Sequence, residues 1–221
     1  AFSAVAKAVV GARAANARAS MRERIAEAQS TVNWEDYNYP PCLYVVHYEL
    51  SDVEDAEARK AVAIAHSAYL LMEASLALNL LATLVLACGG VPSKGLHTLY
   101  AFFNLVILSI VGMYSFYNGY KGLATQNMRL TSKYLGINSV VLVFILAAAL
   151  ANGSNFNGWT NLETARRADK MSGFWVGWTF FEASLWIVNL GLTSYAWAKV
   201  AMNRRHGRPS SSGGGLLSPN L

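Results

Sequence analysis

The chain has 221 residues, 54% hydrophobic and only 14% charged, with a formal net charge of +5. A soluble domain carries about 25% charged residues, and here the charge crowds into the first 60 and the last 23 positions, leaving 62–117 and 134–152 almost bare. This pattern excludes a sizeable soluble domain. Two cysteines, Cys42 and Cys88, exclude a disulfide framework. Nucleic-acid motifs, phosphate-binding glycine loops, HExxH and a nucleophile–base pair are all missing, so neither nucleic-acid binding nor catalysis is expected. No Cys/His cluster has metal-ligand spacing, and no cofactor is expected.

In chain order, residues 1–61 form an N-terminal region, 62–198 a membrane domain and 199–221 a basic, linker-like tail. Residues 2–29 are Ala-rich, with no Pro and a net charge of +3 (five basic, two acidic), and predict a helix. Its thin apolar line, Phe2, Val5, Val9, Met21 and Ile25, suits a solvated or partner-packed helix better than one lying on an anionic leaflet. Residues 31–60 are an approach segment rich in Trp, Tyr and Pro (Trp34, Tyr37, Tyr39, Pro40, Pro41, Tyr44). An acidic run from Glu49 to Glu57 follows, where Ser51 or Asp52 is the expected helix cap.

Four apolar runs follow, at about 68–87, 98–117, 134–151 and 174–198, each near the roughly 20 residues that cross a bilayer. The expected fold class is therefore an all-α membrane protein, a four-transmembrane-helix bundle with an N-terminal cytoplasmic amphipathic helix. CGGVPSKG, after the first run, is a tight hairpin. The stretch Tyr114–Lys133 holds Lys121, Arg129 and Lys133 and no acid, and its Gly119 and Gly122 predict a chain reversal, hence a basic connecting loop. Lys and Arg divide unequally between the two sides. Seven lie in the N-terminal region, three in the midpoint stretch and four in the tail, against four on the other side (Lys94, Arg166, Arg167, Lys170). The positive-inside rule then places both termini and the midpoint loop in the cytoplasm.

Two of the runs repeat a polar signature, EASLALNL from Glu73 and EASLWIVNL from Glu182. Glu182 and Asn189 are seven apart and share a helical face, whereas Glu73 and Asn79 are six apart and do not. Such residues either handle protons or hydrogen-bond between helices, and interhelical packing is the preferred reading for all four. A proton-linked transporter using Glu73 and Glu182 is the less favoured one.

Asn33-Trp34, then Pro41-Cys42-Leu43-Tyr44 and Glu49-Leu50, resemble the approach segment of the secretory carrier membrane proteins. Between the second and third runs, Ser115-Phe116-Tyr117-Asn118-Gly119-Tyr120-Lys121-Gly122-Leu123-Ala124 is similar to that family's Cys-Trp-Tyr-Arg-Pro-Ile/Leu-Tyr-Lys/Gly-Ala element. Both tyrosines and the lysine align, Trp becomes Phe and Arg-Pro becomes Asn-Gly. Gly158-Trp159 and Glu182 also resemble family positions, and the Asn-Pro-Phe adaptor repeats of many members are absent. The resemblance implies a non-catalytic tetraspan protein of vesicle trafficking and membrane recycling, in post-Golgi, endosomal or plasma membranes. It implies a membrane-interface loop built on Phe116, Tyr117, Tyr120 and Lys121. The partners expected are the lipid bilayer and other membrane or cytoplasmic proteins. An accessory subunit of a large membrane complex is the alternative.

Overall fold

The computed structural model describes residues 11, 16, 19–20, 32–151 and 155–206. The helix expected over 2–29 falls outside them but for Gly11, Asn16, Ala19 and Ser20, all helical, and the tail beyond 206 falls outside altogether. The helices are α1 (Ala56–Cys88), α2 (Lys94–Ala124), α3 (Met128–Leu150), a five-residue α4 (Leu162–Arg166) and α5 (Ser172–His206). No strand occurs among the described residues; one isolated antiparallel bridge joins Tyr39 and Val46.

Side-chain caps start α1 and α3, and a glycine closure ends α1. Asp55, instead of the expected Ser51 or Asp52, accepts the Ala58 N–H at 2.7 Å and starts α1. Gly90, at φ +73°, stops it: Val91 N–H reaches Leu86 O at 3.1 Å and Gly90 N–H reaches Ala87 O at 3.0 Å. This is the left-handed closure that glycine favours, with Val91 and Leu86 both buried in its apolar contact. Asn127 caps α3 by accepting the N–H groups of Arg129 (3.0 Å) and Leu130 (3.3 Å).

α1, α2 and α3 are long and apolar enough to cross a membrane, with mean hydropathies of 2.0, 1.8 and 2.0 over their most apolar stretches. At 1.5 Å per residue, the 33 residues of α1 extend about 50 Å, well beyond a hydrocarbon core of about 30 Å. α5 is the longest at 35 residues, but four tryptophans, Glu182 and Asn189 keep its hydropathy below that of the other three.

The four long helices form a ring in which α1 packs on α2 and α5, and α3 packs on the same two. The short α1–α2 and α2–α3 connections make those neighbours antiparallel. Lys199 lies 3.9 Å from Glu57, and the Trp197 indole donates to Leu135 O at 3.0 Å, so α5 runs antiparallel to both α1 and α3. The approach segment, the α2–α3 turn and the C-terminal end of α5 therefore share one end of the bundle. Small residues on α1 (Ala58, Ala61, Ala65, Ala68) let the backbones close on Phe116, Tyr120 and Tyr134. A second core, around Met72, Leu76, Ile145 and Trp186, fills the middle.

The midpoint stretch corrects an expectation. Residues 114–124 are not a loop but the last three turns of α2, and the reversal takes only Thr125, Gln126 and Asn127. Gln126 occupies the left-handed position (φ 51°), with Asn127 N–H on Gly122 O at 2.8 Å and Gln126 N–H on Leu123 O at 3.3 Å. Gly119 and Gly122 do not turn the chain. They let α3 approach: a Cβ at Gly119 would stand 2.7 Å from the Tyr134 ring, and one at Gly122 would stand 2.6 Å from the Thr131 backbone nitrogen. Gly136 has open space instead. Gly122→Ala should therefore lower bundle stability by about 1–3 kcal/mol through overpacking against backbone, while Gly136→Ala leaves it unchanged or raised, as read from thermal unfolding in detergent.

Candidate functional site

At the end shared by the approach segment and the α2–α3 turn, a polar and aromatic cap covers the helices. Asp52 is its centre. Its Oδ2 accepts the Tyr120 phenol and lies 2.8 Å from His47 Nε2. The Tyr120 oxygen in turn accepts the Glu49 N–H at 3.1 Å. The other ring nitrogen of His47, Nδ1, donates to Asp36 O at 2.9 Å. His47 is 4% exposed. Both of its nitrogens face oxygen atoms within hydrogen-bond distance.

Aromatic rings complete the cap. Trp34 packs edge-on to His47 with centroids 5.7 Å apart and lies 5.9 Å from Tyr120, and the Lys121 ammonium sits 4.6 Å over the Trp34 ring. Tyr39 donates to or accepts from His66 Nε2 at 2.9 Å, and Tyr48 packs on His66, Phe116 and Tyr120. Burial raises the phenols of Tyr39 and Tyr48, with Glu73 adding to the first and Tyr39 to the second. Of the four residues expected in an interfacial loop, Phe116 and Tyr120 are buried inside the bundle. Tyr117 is half-buried, with its hydroxyl 3.4 Å from the Lys121 ammonium. His47, Glu49 and Asp52 bring three potential metal ligands within 4.8 Å. His47 and Asp52 hydrogen-bond each other at 2.8 Å and Asp52 also takes the Tyr120 phenol, while the Glu49 carboxylate accepts the Ser51 hydroxyl at 2.7 Å.

The other end carries a second polar cluster. Glu182, 0% exposed, accepts five N–H groups: Asn79 Nδ2 (2.8 Å), Asn157 Nδ2 (2.8 Å), the Asn157 backbone (3.3 Å), and the indoles of Trp178 (3.1 Å) and Trp186 (3.4 Å). Asn79 also donates to Asn155 O at 2.7 Å, and Asn157 Oδ1 accepts from Asn161 and from the Trp175 indole, both at 3.0 Å. The segment 155–161 is thus folded down into the helices, and Gly158 lets it touch the end of α3, where a Cβ would stand 2.7 Å from Ala148 O. Lys94, 2% exposed, lies 4.3 Å over the Trp175 ring.

The pairing differs from the one suggested by spacing. Glu182 joins Asn79 across α1 and α5, Asn189 accepts from Thr193 at 3.0 Å within α5, and Glu73 accepts the Ser109 hydroxyl from α2. The two glutamates therefore serve different interfaces. Asp52, Asn157 and Lys94 were missed as site residues because their partners Tyr120, Glu182 and Trp175 lie far along the chain, and His47 because no local pattern marks its pairing with Asp52 and Asp36.

At this second cluster, Glu182→Gln replaces an acceptor with an NH2 group facing N–H donors and should cost about 1–3 kcal/mol in thermal unfolding. Glu73→Gln, with one hydroxyl partner and its Oε1 unpartnered, should cost less.

A protein-family model described as the SCAMP family matches residues 36–207, which takes in the cap apart from Trp34, all four long helices and the Glu182 cluster. No curated protein and no solved structure matches the chain significantly. With most of its length matched, the chain belongs to the SCAMP family.

Proposed function

We propose that the protein is a non-catalytic tetraspan component of vesicle trafficking and membrane recycling, with α5 as the fourth span and both termini on the cytoplasmic side. The observation that carries the four-span reading is the internal pairing of α5. All four of its indole N–H groups have acceptors inside the bundle, Trp175 on Asn157, Trp178 and Trp186 on Glu182, and Trp197 on Leu135 O. A helix whose polar groups are satisfied by its neighbours can sit at membrane depth despite a lower hydropathy. Its antiparallel packing along α1 and α3 carries it through whatever those helices cross.

Orientation follows from charge. Lys121, Arg129, Lys133, Lys199 and Arg204 gather at the end that carries the approach segment, against Lys94, Arg166, Arg167 and Lys170 at the other. The positive-inside rule makes the first end cytoplasmic. The trafficking role rests on family membership. Packing roles for Glu73 and Glu182 are supported by their separate interfaces. A small, partly open cavity between the helices, lined by Ala65, Met72, Gly112, Asn138 and Thr193 among others, has a volume of about 20 Å³, room for one water.

In a Cys42→Ser, Cys88→Ser background, Gln126→Cys and Ser211→Cys should react with an impermeant maleimide only after the cytoplasmic face is opened, and Asp169→Cys only from the opposite face. Labelling of Asp169→Cys and Ser211→Cys, which flank α5, from one side would reject the fourth span. A tagged chain should cofractionate with recycling carriers; retention in one fixed-stoichiometry complex would favour a subunit role instead.

A further inference from the structure

We propose that the turn Pro40–Val45 is a membrane-dipping finger, seating Leu43, Tyr44 and Val45 in the headgroup–acyl boundary of the same bilayer the helices cross. The inference rests on the spanning reading above.

Residues 37–46, YNYPPCLYVV, contain no charge, although Asp36 and His47 flank them directly. Leu43 is 69% exposed, Tyr44 59% and Val45 54%. Apart from Tyr37, every other exposed large apolar side chain among the described residues lies on a long helix, where lipid covers it. This patch is the exception that needs a cover.

The turn is built, not slack. Leu43 and Tyr44 N–H groups bond to Pro40 O at 3.1 and 3.0 Å, and Val45 and Val46 N–H groups bond to Tyr39 O at 3.0 and 2.9 Å. Those bonds hold Cys42 (φ 79°) and Tyr44 (φ 52°) in the left-handed region, unfavourable for residues with a Cβ. Strained backbone here presents apolar side chains outward instead of folding them under the cap.

Its height along the bundle points to lipid as the occupant. At the open end of the hairpin, Trp34 and His47 contact Tyr120 and Asp52. At the paired residue Tyr39, the contacts have moved to Phe116 and His66, one turn of α2 nearer the membrane. The turn extends beyond that pair. At the same level, half-exposed Tyr114 points its hydroxyl to within 3.4 Å of the Lys133 ammonium, an amphipathic pairing suited to the headgroup boundary. The finger thus stands near the level of the lipid-facing belt of α2, and an uncharged apolar tip is complementary to that zone and to little in water.

The test uses the full chain in nanodiscs of phosphatidylcholine and phosphatidylserine holding one copy each. Cys88→Ser leaves Cys42 to carry a nitroxide. Leu70→Cys, on the lipid face of α1, and Ser51→Cys, on the cap surface, serve as references in a Cys42→Ser, Cys88→Ser background. The ratio of oxygen to nickel-chelate collision rates at Cys42 should lie several-fold above that at Ser51→Cys and approach that at Leu70→Cys. Adding Leu43→Asp should drop it toward the aqueous reference. A Cys42 ratio equal to that of Ser51→Cys, with Leu70→Cys in lipid, overturns the finger alone. An aqueous Leu70→Cys overturns the spanning reading and the finger with it. Shielding of Cys42 that appears only with several copies per particle overturns it in favour of self-association.

Discussion

The Glu182 carboxylate, buried and accepting five N–H groups, is the interaction on which the second half of the chain depends. An isolated carboxylate at membrane depth is costly, and so is an indole N–H without an acceptor. Brought together, the two liabilities cancel. Asn79 carries the network to α1, and Asn157 carries it to the folded-back segment between α3 and α5. The least apolar of the four long helices is therefore also the one with the most internal polar pairing.

The opposite end repeats the logic with different chemistry. Asp52 takes a phenol from α2 and a ring nitrogen from the approach segment, and Tyr120 returns the bond to the Glu49 backbone. Between the two polar ends the interfaces are small and apolar: alanines of α1 against Phe116 and Tyr134, and glycines of α2 against α3. Association of helices in lipid gains little from apolar burial as such, so close packing supplies cohesion and the polar ends supply register. The family match begins at residue 36, within the approach segment, as expected if the cap is part of the folded unit.

Much of this was legible in the chain. Length and hydropathy predicted α1, α2 and α3 because a bilayer imposes a run length that composition alone reveals. The hairpin after Cys88 followed from the shortness of the connector, in which Gly90 takes the left-handed angle. Glu73, Asn79, Glu182 and Asn189 stood out as polar residues in apolar runs. Family membership was carried by short motifs spread over the matched region.

Tertiary structure alone decided the rest. Glycine has the same letter whether it frees a turn or admits a neighbouring helix, and only the position of Tyr134 and Thr131 assigns Gly119 and Gly122 to the second role. Spacing along one helix cannot reveal a partner on another, so Glu182 was set beside Asn189 when its acceptor geometry belongs to Asn79, 103 positions away. His47 and Asp52 in the approach segment and Tyr120 in α2 are ordinary letters, the last some way along the chain from the other two. They become a lock because α2 continues as a helix to Ala124 and carries Tyr120 under the approach segment. Local patterns are set by the period of one helix and the thickness of one membrane, and those the sequence determines; hydrogen bonds between distant segments depend on where the folded bundle places them.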